Sequence, residues 1–70
     1  MQLVINGKER EFPALSSASK ISDLIVALEL KTDRVALEHN GTIIRRAAWL
    51  ETPINSGDKF EIVHFVGGGS

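Results

Sequence analysis

Cysteine is absent from this chain of 70 residues, and its absence excludes several kinds of chemistry. Without a thiol the chain forms no disulfide and ligates no iron–sulfur cluster or thiolate-bound zinc ion. It also offers no cysteine nucleophile and no persulfide. A domain this small without disulfides fits a reducing compartment, so we expect a cytoplasmic protein.

An excess of one charge and long apolar runs are also missing. The chain has 8 basic and 9 acidic residues and a formal net charge of -1, without a basic stripe, so we expect no nucleic-acid partner. The longest apolar run, residues 24–28, is far too short to cross a bilayer. Residues 1–5 lack the features of a signal peptide, so we expect no membrane association. Seventy residues make one domain with a modest core.

Two Asn-Gly dipeptides mark the turns of two predicted β-hairpins. Asn6-Gly7 and Asn40-Gly41 are typical of type I′ turns, which need a positive φ at both central positions. Alternating or β-branched residues predict strands on both sides of these turns and a final strand before the C-terminal glycines. The expected strands cover residues 1–5, 8–12, 35–39, 42–44 and 59–66.

One amphipathic helix is predicted between the two hairpins. Apolar residues recur there at the spacing of one helical face, and the expected helix covers about residues 20–30. The residues of that face are Ile21, Leu24, Ile25 and Leu28. Ser19 or Ser22 is expected to cap the first turn. A helix with a single apolar face must cover one side of a sheet, so the pattern predicts a two-layer α+β domain without fixing its strand order.

The final strand leads into three glycines and Ser70. Because glycine has no Cβ, its backbone passes through spaces that fit no other residue. Such a tail suits the delivery of a terminal carboxylate into a narrow active site of another protein. A flexible linker of glycine and serine is the alternative on composition alone. We expect a folded domain over residues 1–66 and a flexible tail over residues 67–70.

Motifs along essentially the whole chain resemble those of ThiS, the sulfur-carrier family of thiamine thiazole biosynthesis. They are LVING at residues 3–7, ISDLI at 21–25, NG at 40–41, IIRR at 43–46, Trp49, NSGD at 55–58 and IVHFVGGG at 62–69. The resemblance implies a β-grasp (ubiquitin-like) fold, with one helix on a mixed sheet of four to five strands. In that fold the first and last strands pair in parallel at the centre of the sheet.

The resemblance also implies a mechanism in which the chain is a carrier protein and not an enzyme. A ThiF-type adenylyltransferase would use ATP and magnesium to adenylate the C-terminal glycine carboxylate, and sulfur would displace AMP to give a thiocarboxylate. A ThiG-type thiazole synthase would accept that sulfur. We expect the chain itself to bind no cofactor or metal and to be a monomer when free.

The resemblance places the sulfur on Gly69, at the end of the tail formed by Gly67, Gly68 and Gly69. The family ends on glycine, whereas Ser70 follows here, and its Cβ would enter a channel shaped for glycine. Ser70 is either removed by a protease, left over from cloning, or a block to activation. With no cysteine in the chain, the terminal acyl group is the plausible place for a carried sulfur.

Two other functions share the glycine tail. The small subunit of molybdopterin synthase carries the same thiocarboxylate to a different acceptor. A ubiquitin-like interaction or conjugation module carries no sulfur. These two functions remain the alternatives at the level of the sequence.

Alternation along the last strand predicts a docking surface beside the tail. Val63 and Phe65 fall on the face of that strand turned away from the helix. Together with Val4 and Val66 they are expected to dock the activating enzyme through an exposed apolar patch. The alternative is a satellite core beneath the loop that contains Trp49.

No constellation of residues predicts catalysis. His64 has only His39 as a companion and is expected to be structural or to help docking. Arg45 and Arg46 are expected to lie in a solvated turn, with contact to a phosphate or an acidic partner as the alternative. The acidic residues are scattered and suggest neither a carboxylate pair nor a metal site.

Overall fold

The structure is a computed structural model that describes residues 1–65. Within this part of the chain there are five strands and one α-helix, together with single turns of 3₁₀ helix at Thr32–Arg34 and Arg46–Ala48. The elements in chain order are β1 (Gln2–Ile5), β2 (Lys8–Glu11), α1 (Ile21–Ala27), β3 (Val35–His39), β4 (Thr42–Ile43) and β5 (Lys59–His64).

The strands form one mixed sheet with the order β2-β1-β5-β3-β4. The first and last strands, β1 and β5, lie side by side in parallel, with Ile5 opposite Phe60. The remaining pairs, β1–β2, β3–β4 and β3–β5, are antiparallel. This arrangement confirms the α+β class and the β-grasp topology that the resemblance implied.

Both Asn-Gly turns have the predicted conformation. Asn6 and Asn40 each have a φ of 51°, and the glycines that follow have φ values of 84° and 87°. Positive φ at both central positions is the signature of the type I′ turn, whose twist matches the twist of the strands it joins. The two hairpins are therefore fixed by local sequence.

The helix is shorter than the predicted span of residues 20–30, because α1 ends after Ala27. Glu29 adopts a left-handed φ of 57°, and the N–H of Leu30 donates to the carbonyl of Ile25 at 3.2 Å. These features form a Schellman motif, which closes a helix although the apolar pattern continues to Leu30.

The prediction that a serine caps α1 was wrong. Lys20 occupies the N-cap position and offers no acceptor, so the first turn is closed from within the helix. The carboxylate of Asp23 accepts the backbone N–H of Lys20 at 2.8 Å. A negative charge in the first turn also complements the partial positive charge of the helix N-terminus.

The core lies between α1 and one face of the sheet, and loop residues close its edges. Its buried side chains are Leu3, Ile5, Phe12, Leu15, Ile21, Leu24, Ile25, Val35, Leu37, Trp49, Ile54, Phe60 and Ile62. Trp49 anchors the loop after β4, and its indole Nε1 donates to the carbonyl of Ile44 at 3.0 Å. Among the described residues, no helix has the length and apolar character needed to span a bilayer.

A hydrogen-bonded network fixes the turn before β5. The Asp58 carboxylate lies 2.7 Å from Nε2 of His39 and accepts the backbone N–H of Asn55 at 2.9 Å and Nδ2 of Asn40 at 3.3 Å. The His39 ring stacks on Phe60 with a centroid distance of 4.7 Å. Burial raises the pKa of Asp58, but the hydrogen bonds from His39, Asn55 and Asn40 and the charge of His39 leave that pKa below its ordinary value.

The lowered pKa of Asp58 predicts a loss of stability in acid. Its carboxylate stabilises the fold above the unfolded pKa of about 4, and this contribution disappears as the pH falls through the lower pKa of the folded state. Asp58→Asn is expected to reduce the free energy of unfolding at neutral pH by about 1–3 kcal/mol. It is also expected to flatten the decline in stability below about pH 5. Urea denaturation at a series of pH values measures both effects.

Asp33→Asn is the matched control for Asp58→Asn. The Asp33 carboxylate is largely exposed, and among the described residues its ion pair is with Arg34 at 4.0 Å. An exposed pair of this kind contributes little to stability. If the free energy of unfolding declines as steeply in acid for Asp58→Asn as for the unchanged chain, the role assigned to Asp58 is contradicted.

Candidate functional site

The candidate site is the end of β5, from which the chain continues toward the glycines. The last backbone hydrogen bond of this segment runs from the N–H of Phe65 to the carbonyl of Arg34 at 2.8 Å. The sheet therefore holds the chain up to Phe65. The predictions made for Val66, for the glycines at 67–69 and for Ser70 lie outside the described residues, as does the predicted boundary after residue 66.

The side chains of β5 alternate between the core and solvent, as predicted. Phe60 and Ile62 are buried beneath α1, whereas Val63 is 60% exposed and Phe65 is 51% exposed. The exposed pair lies on the face of the sheet opposite the helix, called the open face below. The alternative of a satellite core beneath the loop of Trp49 is wrong, because these two side chains face solvent.

The sheet places two further apolar residues beside Val63. Ala36 of β3 is directly opposite Val63, and Ile43 of β4 is opposite Glu38 in the next pair of strands. Ala36, Ile43 and Val63 line a shallow depression of about 170 Å³ on the open face. We call Ala36, Ile43, Val63 and Phe65 the open-face patch. Sequence reasoning missed Ala36 and Ile43, because the pairing of β3 with β5 has no local signal.

Val4 lies on the open face but apart from this patch. Val4 is opposite Lys59 in the parallel ladder between β1 and β5, and Lys59 lies four positions before Val63 along β5. At the rise of a strand this spacing is about 13 Å. The side chains of Lys59 and Glu61 occupy the open face between Val4 and Val63. The structure therefore does not bring Val4 together with Val63 and Phe65.

Charged residues border the open-face patch on two sides. Glu38 and Glu61 are opposite each other in the β3–β5 ladder, on the side toward the start of β5. Arg34 lies at the other side, where its carbonyl binds Phe65. Since β4 runs in the same direction as β5, the exposed Arg45 that follows it lies toward the same end of the sheet as Arg34. The patch thus has two glutamates on one side, whereas at the other end Arg34 lies 4.0 Å from the carboxylate of Asp33.

The two histidines are not brought together. His39 is opposite Phe60 and is held by Asp58, whereas His64 is exposed and opposite Val35 at the far end of β5. Within residues 1–65 there is no group of three or more His, Cys, Asp or Glu side chains that could hold a metal ion.

Comparison with known proteins gives a family match and similar full-length relatives. The model of the ThiS family matches residues 3–69, which include the glycines as well as the described domain. The sulfur carrier protein ThiS of Bacillus subtilis is 36% identical over 67 residues, which are 96% of this chain and 98% of that protein.

Two longer proteins also contain a similar segment. A thiazole synthase from Paramagnetospirillum magneticum is 41% identical over all 70 residues, and one from Magnetococcus marinus is 28% identical over 69 residues. The chain spans only about a fifth of the length of these relatives, 21% and 20% respectively.

Solved structures show the same fold. The crystal structure of the thiamine biosynthesis protein ThiS from Geobacter metallireducens matches with a TM-score of 0.82 and 31% identity. The match covers 99% of this chain and 100% of that one. An NMR structure of a thiamine biosynthesis protein from the same organism gives a TM-score of 0.81 and 32% identity.

Proposed function

The chain belongs to the ThiS family of sulfur carriers in thiamine biosynthesis, and we propose that it carries sulfur as a thiocarboxylate on Gly69. The observation that supports this proposal most strongly is the extent of the family match, which reaches Gly69 itself. The similarity to ThiS and to thiazole synthases favours this function over that of a molybdopterin-synthase subunit or a ubiquitin-like module.

The chemistry requires a free carboxylate on Gly69. Because Ser70 follows in this sequence, the Gly69 carbonyl is part of a peptide bond until water hydrolyses that bond and releases Ser70. The freed carboxylate then attacks the α-phosphorus of ATP on a ThiF-type adenylyltransferase, and pyrophosphate leaves. A sulfide nucleophile attacks the acyl carbon of the adenylate, AMP leaves with the bonding electron pair, and the thiocarboxylate remains.

The described domain supplies the surface on which a partner can bind within reach of this group. Gly69 lies four residues beyond Phe65, so its Cα is within about 15 Å of the Phe65 Cα. The open-face patch is therefore close enough to the reacting group for one partner to contact both. Exposed apolar residues with a charged border are typical of a binding surface.

We assign two partners to this surface, a ThiF-type adenylyltransferase and a ThiG-type thiazole synthase. Support for the second comes from the two thiazole synthases that contain a segment similar to this chain. In those proteins a carrier-like segment and a much longer remainder belong to one polypeptide. The adenylyltransferase is required by the chemistry, because an unactivated carboxylate has a poor leaving group.

A carboxylate placed in the open-face patch is expected to weaken partner binding. Val63→Asp and Phe65→Asp should each raise the Kd for a ThiF-type enzyme at least about tenfold, because the interface would bury an unpaired charge. Both variants should keep the thermal stability of the unchanged chain, since both side chains face solvent. Isothermal titration calorimetry and thermal unfolding test these two expectations.

Val26→Asp is the matched control for Val63→Asp. Val26 is 74% exposed, but it lies on α1 in the layer opposite the open face. We expect it to leave the Kd unchanged. Equal losses for Val26→Asp and Val63→Asp, or no loss for Val63→Asp and Phe65→Asp, would show that the open face is not the docking surface.

Conversion of the Gly69 carboxyl group tests the proposed function itself. The chain ending at Gly69 and the chain that retains Ser70 are each incubated with a ThiF-type enzyme, ATP, magnesium and sulfide. Intact-mass spectrometry should show one oxygen replaced by sulfur in the chain ending at Gly69 and no change in the other. Failure of both to react, while an established carrier is converted under the same conditions, would refute the proposal.

A further inference from the structure

The parallel ladder between β1 and β5 ends before β5 does. Its last backbone bond at this end runs from the N–H of Asn6 to the carbonyl of Phe60 at 2.9 Å. The turn at Asn6-Gly7 then carries the chain away into β2. β5 continues through His64, so its second half is paired with β3 on one side and has no strand of the described chain on the other.

The side chain of Asn6 lies beside the second half of β5, at the position where a further residue of β1 would pair. Its Oδ1 accepts the N–H of Ile62 at 2.7 Å, and its Nδ2 donates to the carbonyl of Ile62 at 3.2 Å. A carboxamide has the same donor and acceptor groups as a peptide unit. Asn6 therefore occupies the first central position of the turn and also adds one step to the β1–β5 ladder.

The second Asn-Gly turn provides an internal comparison. Asn40 has the same φ as Asn6, and its Oδ1 accepts the N–H of Lys59 at 2.9 Å. Each turn thus places an amide side chain on the backbone of β5. The contact of Asn40 is at the start of the strand, whereas the contact of Asn6 is three residues before Phe65.

We propose that Asn6 is a positioning residue for the reactive tail. Its two hydrogen bonds to Ile62 hold the second half of β5 on the side where no strand of the described chain pairs with it. A partner then receives a strand end that is already ordered, which avoids an entropic cost on binding. This inference rests on the proposed thiocarboxylate function, although Asn6 itself touches no reacting atom.

Asn6→Gly and Asn40→Gly form a matched pair of variants. Glycine adopts the positive φ of both turns without strain, so each substitution removes the side-chain contact and leaves the turn geometry possible. In the free carrier, Asn6→Gly should speed amide hydrogen exchange at Ile62 and Phe65 at least about tenfold. Asn40→Gly should have this effect at Lys59 and leave Ile62 and Phe65 unchanged.

Kinetics with a ThiF-type enzyme separate positioning from stability. For chains ending at Gly69, Asn6→Gly should raise the KM for the carrier about tenfold with kcat nearly unchanged, because a looser strand end must be ordered on binding. Asn40→Gly should leave both constants unchanged. Asn6→Asp keeps an acceptor for the N–H of Ile62 and should recover part of the loss. Thermal unfolding confirms that all variants are folded at the assay temperature.

The outcomes distinguish this inference from the proposed function. If the chain ending at Gly69 is not converted when it carries no substitution, the proposed function fails, and amide exchange alone decides whether Asn6 holds the end of β5. If that chain is converted and the two glycine variants have the same KM, the positioning role of Asn6 is refuted. Unchanged exchange at Ile62 in Asn6→Gly refutes it as well.

Discussion

The placement of β5 between β1 and β3 is the constraint on which the rest of the structure depends. This strand is last in sequence but central in the sheet, so the two hairpins become one sheet only when residues 59–64 pair with both. Phe60 and Ile62 complete the core beneath α1, while Val63 points to the open face. The strand that closes the core therefore also carries part of the open-face patch and precedes the glycine residues. β5 therefore contributes to the core through Phe60 and Ile62 and to the open-face patch through Val63.

The turns and the faces of β5 were predicted from the sequence, because neighbouring residues determine both. The Asn-Gly turns have the expected positive φ, because few other residues adopt that conformation. Alternation correctly assigned the faces of β5, because a strand has a period of two. The helix was predicted too long and with the wrong cap. The apolar pattern continues to Leu30, but the helix ends in a Schellman motif whose left-handed residue is Glu29 and not the usual glycine.

Features that depend on pairing between distant segments were not predictable from the residues alone. The parallel pairing of the first and last strands at the centre of the sheet came from the family resemblance, and the observed topology confirms it. Ala36 and Ile43 join Val63 only through the β3–β5 and β3–β4 registers. The bonds of Asn6 to Ile62 join opposite ends of the chain, and no motif indicates them. For the tail, the roles of Val66 and Gly67–Gly69 and the loss of Ser70 stay predictions.

Transfer of labelled sulfur tests the central claim most directly. The chain ending at Gly69 is loaded with a heavy sulfur isotope by a ThiF-type enzyme, purified, and given to a thiazole synthase with its other substrates. If Gly69 carries the sulfur of thiamine biosynthesis, mass spectrometry finds the heavy isotope in the thiazole product, and the chain returns to its carboxylate form. A thiazole product without the heavy isotope, or a chain that keeps its label while thiazole forms, would contradict the claim.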